Sequence, residues 1–176
     1  LKYPADFKAR IIDNSIQGLE MDLGGKSVWF RLTGEFNAYN LLGVLGIAQL
    51  LGENEEEVLR QLSLLKGAEG RFDILVQGGI TAIIDYAHTP DALENVLKTI
   101  QKLRMEEGLS PIDQRKIISM EDRKSAITTA CHLCKPGDIV LIAGKGHEKY
   151  QEIKGVKHPF DDKKIVSELL KLLSKD

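Results

Sequence analysis

Long apolar runs are missing from this chain. The longest, Asn40 to Leu51, is interrupted by glycine and falls short of the roughly 18 to 20 residues that a membrane-spanning helix needs, so membrane insertion is not expected. Cysteine is scarce: two residues in 176 do not make a disulfide framework. No charged-then-apolar leader opens the chain, and together these absences point to a reducing cytoplasm. Neither sign of charge dominates, with 24 basic against 26 acidic side chains, which speaks against a nucleic-acid binder working through bulk charge. Internal repeats and low-complexity segments are absent. So is an initial methionine, and a chain beginning at Leu1 is expected to be a piece of something longer.

What is present suffices for one ordinary domain or two small ones. Residues 7 to 32 read as three short strands, FKARIID, GLEMDL and KSVWFRL, separated by Gly18 and by Gly24-Gly25. From Phe36 the pattern turns helical. FNAYNLLGVLGIAQLL is apolar nearly all round, which predicts a helix buried in the interior. A second helix is expected over 53 to 65, acidic at its amino end where acid complements the helix dipole. The small, polar stretch Lys66 to Gly70 marks a domain boundary, giving domains 1–68 and 69–176.

After Gly70 strands and helices alternate: FDILV, ITAIID, a helix over 90 to 104, a strand KIIS over 116 to 119, a helix over 122 to 133, DIVLIA, and a last helix over 162 to 173. Such alternation argues for an α/β fold with parallel strand pairs and crossover helices, a Rossmann-like layering. Thr89 and Pro90 provide a good helix start, a hydroxyl cap followed by a residue whose φ is preset. Only MEEGLSPIDQR separates the helix ending at Arg104 from the next strand. That spacing is too short for a doubly wound sheet and predicts a missing segment near Arg104 and Met105.

Several segments carry chemistry. Gly25-Lys26-Ser27 has the ending of a phosphate loop, but position 20 is Glu20 rather than glycine and a strand follows where a helix is required, so it reads as a hairpin turn. Asn37 and Asn40 stand at i and i+3 near a helix start. Their amides suit the edge of an adenine, or equally a helix cap and a nearby carbonyl. Asp85 ends an apolar strand and His88 follows in the turn, at the carboxyl end of a strand where open α/β sheets bind ligands. A carboxylate there can accept from ribose hydroxyls, whereas a turn histidine can also be merely solvated.

Gly144 and Gly146 permit close backbone approach in a loop that also carries Lys145, His147 and Glu148, and Glu148 can pair with a ligand ammonium. Arg71 is positioned to reach a ligand between two domains. Cys131 and Cys134 form a C-x-x-C on a helix without a second ligand pair, which reads as packing rather than metal binding. FDDKK reads as helix capping by Asp161 or Asp162.

The stretches GEFNAYNLLG, GRFD, IIDYAHTPDALENVL, DRKSAI and PGDIVLIAGKGHEKYQEIKGVKHPFDD resemble the Mur ligases, and within them the branch that adds the third residue of the peptidoglycan peptide. DYAHTPD and AGKGHE are the specific signals. The resemblance implies the end of a central ATPase domain followed by a Rossmann-like carboxy-terminal domain. It implies an ATP- and Mg2+-dependent ligase that adds meso-diaminopimelate to UDP-N-acetylmuramoyl-L-alanyl-D-glutamate, as a cytoplasmic monomer working through an acyl phosphate. Carried over residue by residue, Asn37 and Asn40 would serve adenine, Asp85 the ribose, Arg71 the phosphates, and His88 the same nucleotide region. Gly144 and Glu148 would hold the diamino acid. The family's phosphate loop, metal-binding residues, carbamylated lysine and D-N-P-R segment are not in this sequence, and Asp73 stands where glutamate is common. The 176 residues alone are therefore expected to be inactive. A lysine-adding homologue and a nucleotide- or amino-acid-binding module without turnover are the other readings.

Overall fold

Alternating apolar residues and glycine turns make an antiparallel meander at the start of the chain: β1 (Arg10–Ser15), β2 (Gly18–Leu23) and β3 (Lys26–Phe30), in the order β1-β2-β3. The computed structural model describes residues 6–106 and 118–174. The β2–β3 turn holds Gly24 and Gly25 at φ 65° and 92°, and Gly25 donates its N–H to Asp22 Oδ1 at 2.7 Å. Gly25 thus belongs to a hairpin turn, and Lys26 and Ser27 open β3 rather than a helix. Leu19, Met21 and Phe30 point inward from β2 and β3 against α1 (Glu35–Leu50) and α2 (Glu55–Leu64). Asn54 caps α2, accepting from the Glu57 N–H.

The expectation that the apolar helix is wholly buried holds for one face only. Ala38, Leu41, Leu42 and Leu45 of α1 are buried in this core, while Phe36, Tyr39, Val44, Ile47 and Leu50 are exposed. An all-round apolar helix has two faces to cover, and the described residues cover one.

The remaining elements are β4 (Asp73–Gln77), β5 (Ile80–Asp85), α3 (Pro90–Glu106), α4 (Arg123–Leu133), β6 (Ile139–Ala143), β7 (Tyr150–Ile153), β8 (Val156–Pro159) and α5 (Asp162–Leu173), and a second core gathers β4, β5, β6, α4 and α5. The sheet order is β4-β5-β6, with β4 antiparallel and β6 parallel to β5. Ala82, Ile84, Val140 and Ile142 pack against Ile127 and Cys131 of α4 and Val166 and Leu170 of α5. Thr89 caps α3, its Oγ1 accepting from the Ala92 N–H at 3.3 Å. Asp161, not Asp162, caps α5. Contacts divide the chain into two units, Leu1–Gly67 with Lys98–Pro111, and Ala68–Leu97 with Ile112–Asp176.

Two expectations change. α3 ends at Glu106, beyond the end expected at Arg104. Of the strand expected over 116 to 119, Lys116 and Ile117 lie outside the described residues, and Ile118 and Ser119 adopt no strand. Among the described residues the sheet has one parallel pair, β5 with β6. The β7–β8 hairpin was not expected; Lys154 and Gly155 at φ 52° and 78° form its two-residue turn. No described helix is long and apolar enough to cross a membrane.

Candidate functional site

Parallel pairing brings the carboxyl ends of β5 and β6 side by side, with Asp85 opposite Ala143 and the Gly144 N–H donating to the Asp85 carbonyl at 2.9 Å. Every loop leaving these strands therefore opens on the same edge of the sheet, where ligands of open α/β folds are bound.

Asp85 is buried, and its carboxylate organises this edge. Oδ1 accepts the Ala87 N–H and Oδ2 the Phe72 N–H, each at 2.7 Å. The second bond secures an unusual residue. Phe72 is buried with φ 47°, a left-handed conformation that disfavours a bulky side chain. Beside it, Gly70 and Gly146 meet backbone to backbone. A Cβ on Gly70 would lie 2.1 Å from the His147 nitrogen, and one on Gly146 would lie 2.6 Å from the Gly70 carbonyl oxygen. Only glycine fits either position, so the loop bearing Arg71 and the loop bearing Glu148 are locked together.

Tyr86, between them, is a platform for basic groups. The Arg71 guanidinium carbon lies 4.8 Å from its ring centroid, His88 meets it edge-on at 4.6 Å, and the His147 ring lies at 5.5 Å. The Tyr86 carbonyl also fixes His88, whose Nδ1 lies 2.8 Å away. Arg71, His88 and His147 are exposed around a half-buried ring, an arrangement suited to an anion.

The neighbouring loop offers the opposite charge. Glu148 accepts from Lys145 Nζ at 3.0 Å, and this bond holds its carboxyl below the usual carboxylate range. An ionised Glu148 is thus available to a cation that replaces or joins Lys145. Gly144, at φ 109°, has nothing within 4 Å of where a Cβ would stand, so its backbone is open to a ligand.

Asn37 and Asn40 lie in the first unit on α1. Asn37 Nδ2 donates to the Thr33 carbonyl at 2.8 Å, and Asn40 Nδ2 donates to Asn37 Oδ1 at 3.2 Å. The amides do share a face, and Asn37 also serves local backbone. Cys131 is buried in the second core, while the Cys134 thiol points back to the Ala130 carbonyl at 3.2 Å.

No protein-family model matches the chain. A curated protein of Cytophaga hutchinsonii named UDP-N-acetylmuramoyl-L-alanyl-D-glutamate–2,6-diaminopimelate ligase is 45% identical over 224 residues, covering 97% of this chain and 46% of the relative. A solved structure with the same protein name is 30% identical, covers 96% of this chain and 46% of its own, and superimposes with a TM-score of 0.63. The chain belongs to the Mur ligase family. A MurF ligase of Thermotoga maritima in complex with ADP shares the fold at 15% identity, with a TM-score of 0.58 over 95% of this chain and 47% of that one.

This Mur ligase chain spans about half the length of the curated relatives it matches. Its match also has an internal gap. The Cytophaga alignment runs over 224 residues against the 176 of this chain, so that relative carries at least 48 residues inside the matched span that are not here.

Within the second unit, the Mur ligase segments GRFD, DYAHTP and AGKGHE converge on one sheet edge, bringing Arg71, Asp85 and His88 around Tyr86 and setting Gly144 and Glu148 in the adjoining loop. Reading the sequence did not single out Tyr86, because a tyrosine beside a strand end reads as packing until its ring is seen between three basic residues. Arg123 and Asp162 also received no ligand-side role, although they lie at the same end of the sheet.

Proposed function

We propose that this chain is the nucleotide- and amino-acid-handling part of a cytoplasmic, monomeric Mur ligase that adds meso-diaminopimelate to UDP-N-acetylmuramoyl-L-alanyl-D-glutamate, consuming ATP. The observation that carries the reading is Glu148, an ionised carboxylate beside the open backbone of Gly144, in a chain 45% identical to a protein named for that ligation.

ATP transfers its γ-phosphoryl group to a substrate carboxylate, giving an acyl phosphate and ADP. The diamino acid's amine then attacks the acyl carbon. The tetrahedral intermediate collapses to the amide, expels phosphate, and the amine loses a proton. Neither step requires a nucleophile from the protein, so the chain's contribution is placement and charge. Arg71, with His88 near it, faces the phosphates; Asp85 meets the ribose through lone pairs not used by Phe72 and Ala87; Asn37 and Asn40 meet the adenine. Glu148 receives the ammonium of the diamino acid and Gly144 its approach. We assign the residues that are extra in the Cytophaga relative to the stretch between α3 and α4, because the sequence is short for the fold there.

Mg2+ neutralises phosphate charge in ATP-dependent transfers. Among the described residues no group of three or more His, Cys, Asp or Glu side chains can hold a metal ion, so none is assigned to it.

The test is the product made by the complete protein from the UDP-linked dipeptide, ATP and either diaminopimelate or L-lysine. Mass spectrometry should show the diaminopimelate product in large excess. Equal or greater yield with lysine would favour the lysine-adding reading, and no product with either would sink the ligase reading.

A further inference from the structure

The DRKSAI and HPFDD segments take no part in the site described above, yet the fold joins them at its border. Arg123, the first residue of α4, makes a two-pronged pair with Asp162, the first residue of α5: Nε to Oδ1 at 3.0 Å and Nη2 to Oδ2 at 2.7 Å. Asp162 is 0% exposed. Nη2 also donates to the carbonyl of Ala143 at 2.8 Å. Ala143 is the last residue of β6, and Gly144 follows it.

A buried carboxylate is costly unless paired, and a nonpolar pair at the start of two helices would serve packing as well. What an apolar pair cannot do is reach a backbone carbonyl. One guanidinium here satisfies a buried acid and fixes the peptide from which the Gly144–Glu148 loop departs. Among the described residues β6 lies at the edge of the three-stranded sheet, where β5 holds the strand on one side. The Gly144 N–H is fixed to Asp85 and the Ala143 carbonyl to Arg123, so this peptide group is restrained at both polar atoms.

We infer that Arg123, held by Asp162, is a positioning residue for the diamino-acid loop. It sets the Ala143–Gly144 peptide and through it the place of Glu148. This rests on the proposed assignment of Gly144 and Glu148 to the amino acid. Arg123 touches no substrate; its geometry demands a planar, multiply donating head, which lysine lacks.

The experiment compares Arg123→Lys, Asp162→Asn and Glu148→Ala in the complete protein. Steady-state kinetics are measured for diaminopimelate and for ATP, with thermal unfolding and amide hydrogen exchange at Gly144 and Lys145. Arg123→Lys keeps a cation opposite Asp162 and should fold. It should raise the KM for diaminopimelate by about ten- to a hundred-fold, leave the KM for ATP within about two-fold, and speed exchange at Gly144. A purely structural role would lower the melting temperature and move both KM values together or neither, which would overturn the inference. If Asp162→Asn does not fold, Arg123→Lys decides. If Glu148→Ala leaves the diaminopimelate KM unchanged, the site assignment itself fails. If Glu148→Ala raises it and Arg123→Lys changes neither KM nor exchange, the assignment stands and the positioning role falls.

Discussion

Phe72 sits in a left-handed backbone conformation, φ 47°, and its N–H is held at 2.7 Å by the carboxylate of Asp85, thirteen positions further along the chain. The same carboxylate holds Ala87, so one side chain fastens both loops at the carboxyl end of β5. Hydrogen bonds to a charged group contribute about 1.5–3 kcal/mol each, and the left-handed conformation has to be offset by them. Asp85→Ala should therefore destabilise the protein by about 3 kcal/mol or more in urea unfolding. Asp85→Asn keeps one acceptor and should lose roughly half as much. A change below about 1 kcal/mol for Asp85→Ala would mean that the two bonds do not hold the loops.

The Gly70–Gly146 contact makes a second, steric prediction. Gly146→Ala would place a Cβ 2.6 Å from the Gly70 carbonyl oxygen and 2.8 Å from Tyr86 Cβ, at φ +54°. Gly155→Ala shares the positive φ, +78°, but meets nothing within 4 Å. Both replacements incur backbone strain, and only the first adds overpacking, so Gly146→Ala should be the more destabilising by about 1–3 kcal/mol. Equal melting temperatures for the two variants would show that the loops separate freely.

Much of this architecture is legible in the sequence. Alternation, Gly18 and the Gly24-Gly25 pair mark the β1–β3 meander, and Thr89-Pro90 marks the start of α3, because capping and φ preference act locally. Local signals fail where a partner is distant. Arg123 and Asp162 lie 39 residues apart and meet only because α4 and α5 begin at the same sheet edge. FDDKK correctly indicates a cap, yet which of its two acids turns inward is decided by Arg123. The β7–β8 hairpin escapes because its strands are four residues each and largely exposed, leaving Lys154-Gly155 as the main signal. α1 shows the converse limit: apolar residues all round say that both faces are to be covered, but not by what.

Cys131 offers a pH test of the second core. Burial, with a smaller contribution from Cys134, raises its thiol from the ordinary 9.0 to about 11. A raised acid favours the protonated, folded state. Its stabilising contribution is fully present below about pH 9 and is lost as pH rises through about 11. In the native protein near neutral pH, iodoacetamide should modify Cys134 before Cys131, and Cys131 should become reactive only on unfolding. Rapid labelling of Cys131 in the folded protein would contradict its placement in the core.

Glu148 provides a further pH signature. Its carboxyl lies below the usual range, chiefly through Lys145, so diaminopimelate affinity should stay flat from neutral pH down through the ordinary glutamate range and weaken only below it. Lys145→Met should return that onset toward the ordinary range. An onset unchanged by Lys145→Met would remove Lys145 as its cause.

The most direct measurement is ADP release by the complete protein against diaminopimelate concentration, for the wild type and Glu148→Ala, with ATP and the UDP-linked dipeptide saturating. If Glu148 receives the amino acid's ammonium, the substitution removes a charge-assisted bond of about 1.5–3 kcal/mol and raises the diaminopimelate KM by about ten- to a hundred-fold, with the ATP KM unchanged. Identical diaminopimelate KM values in the two proteins would contradict the assignment of this loop to the diamino acid.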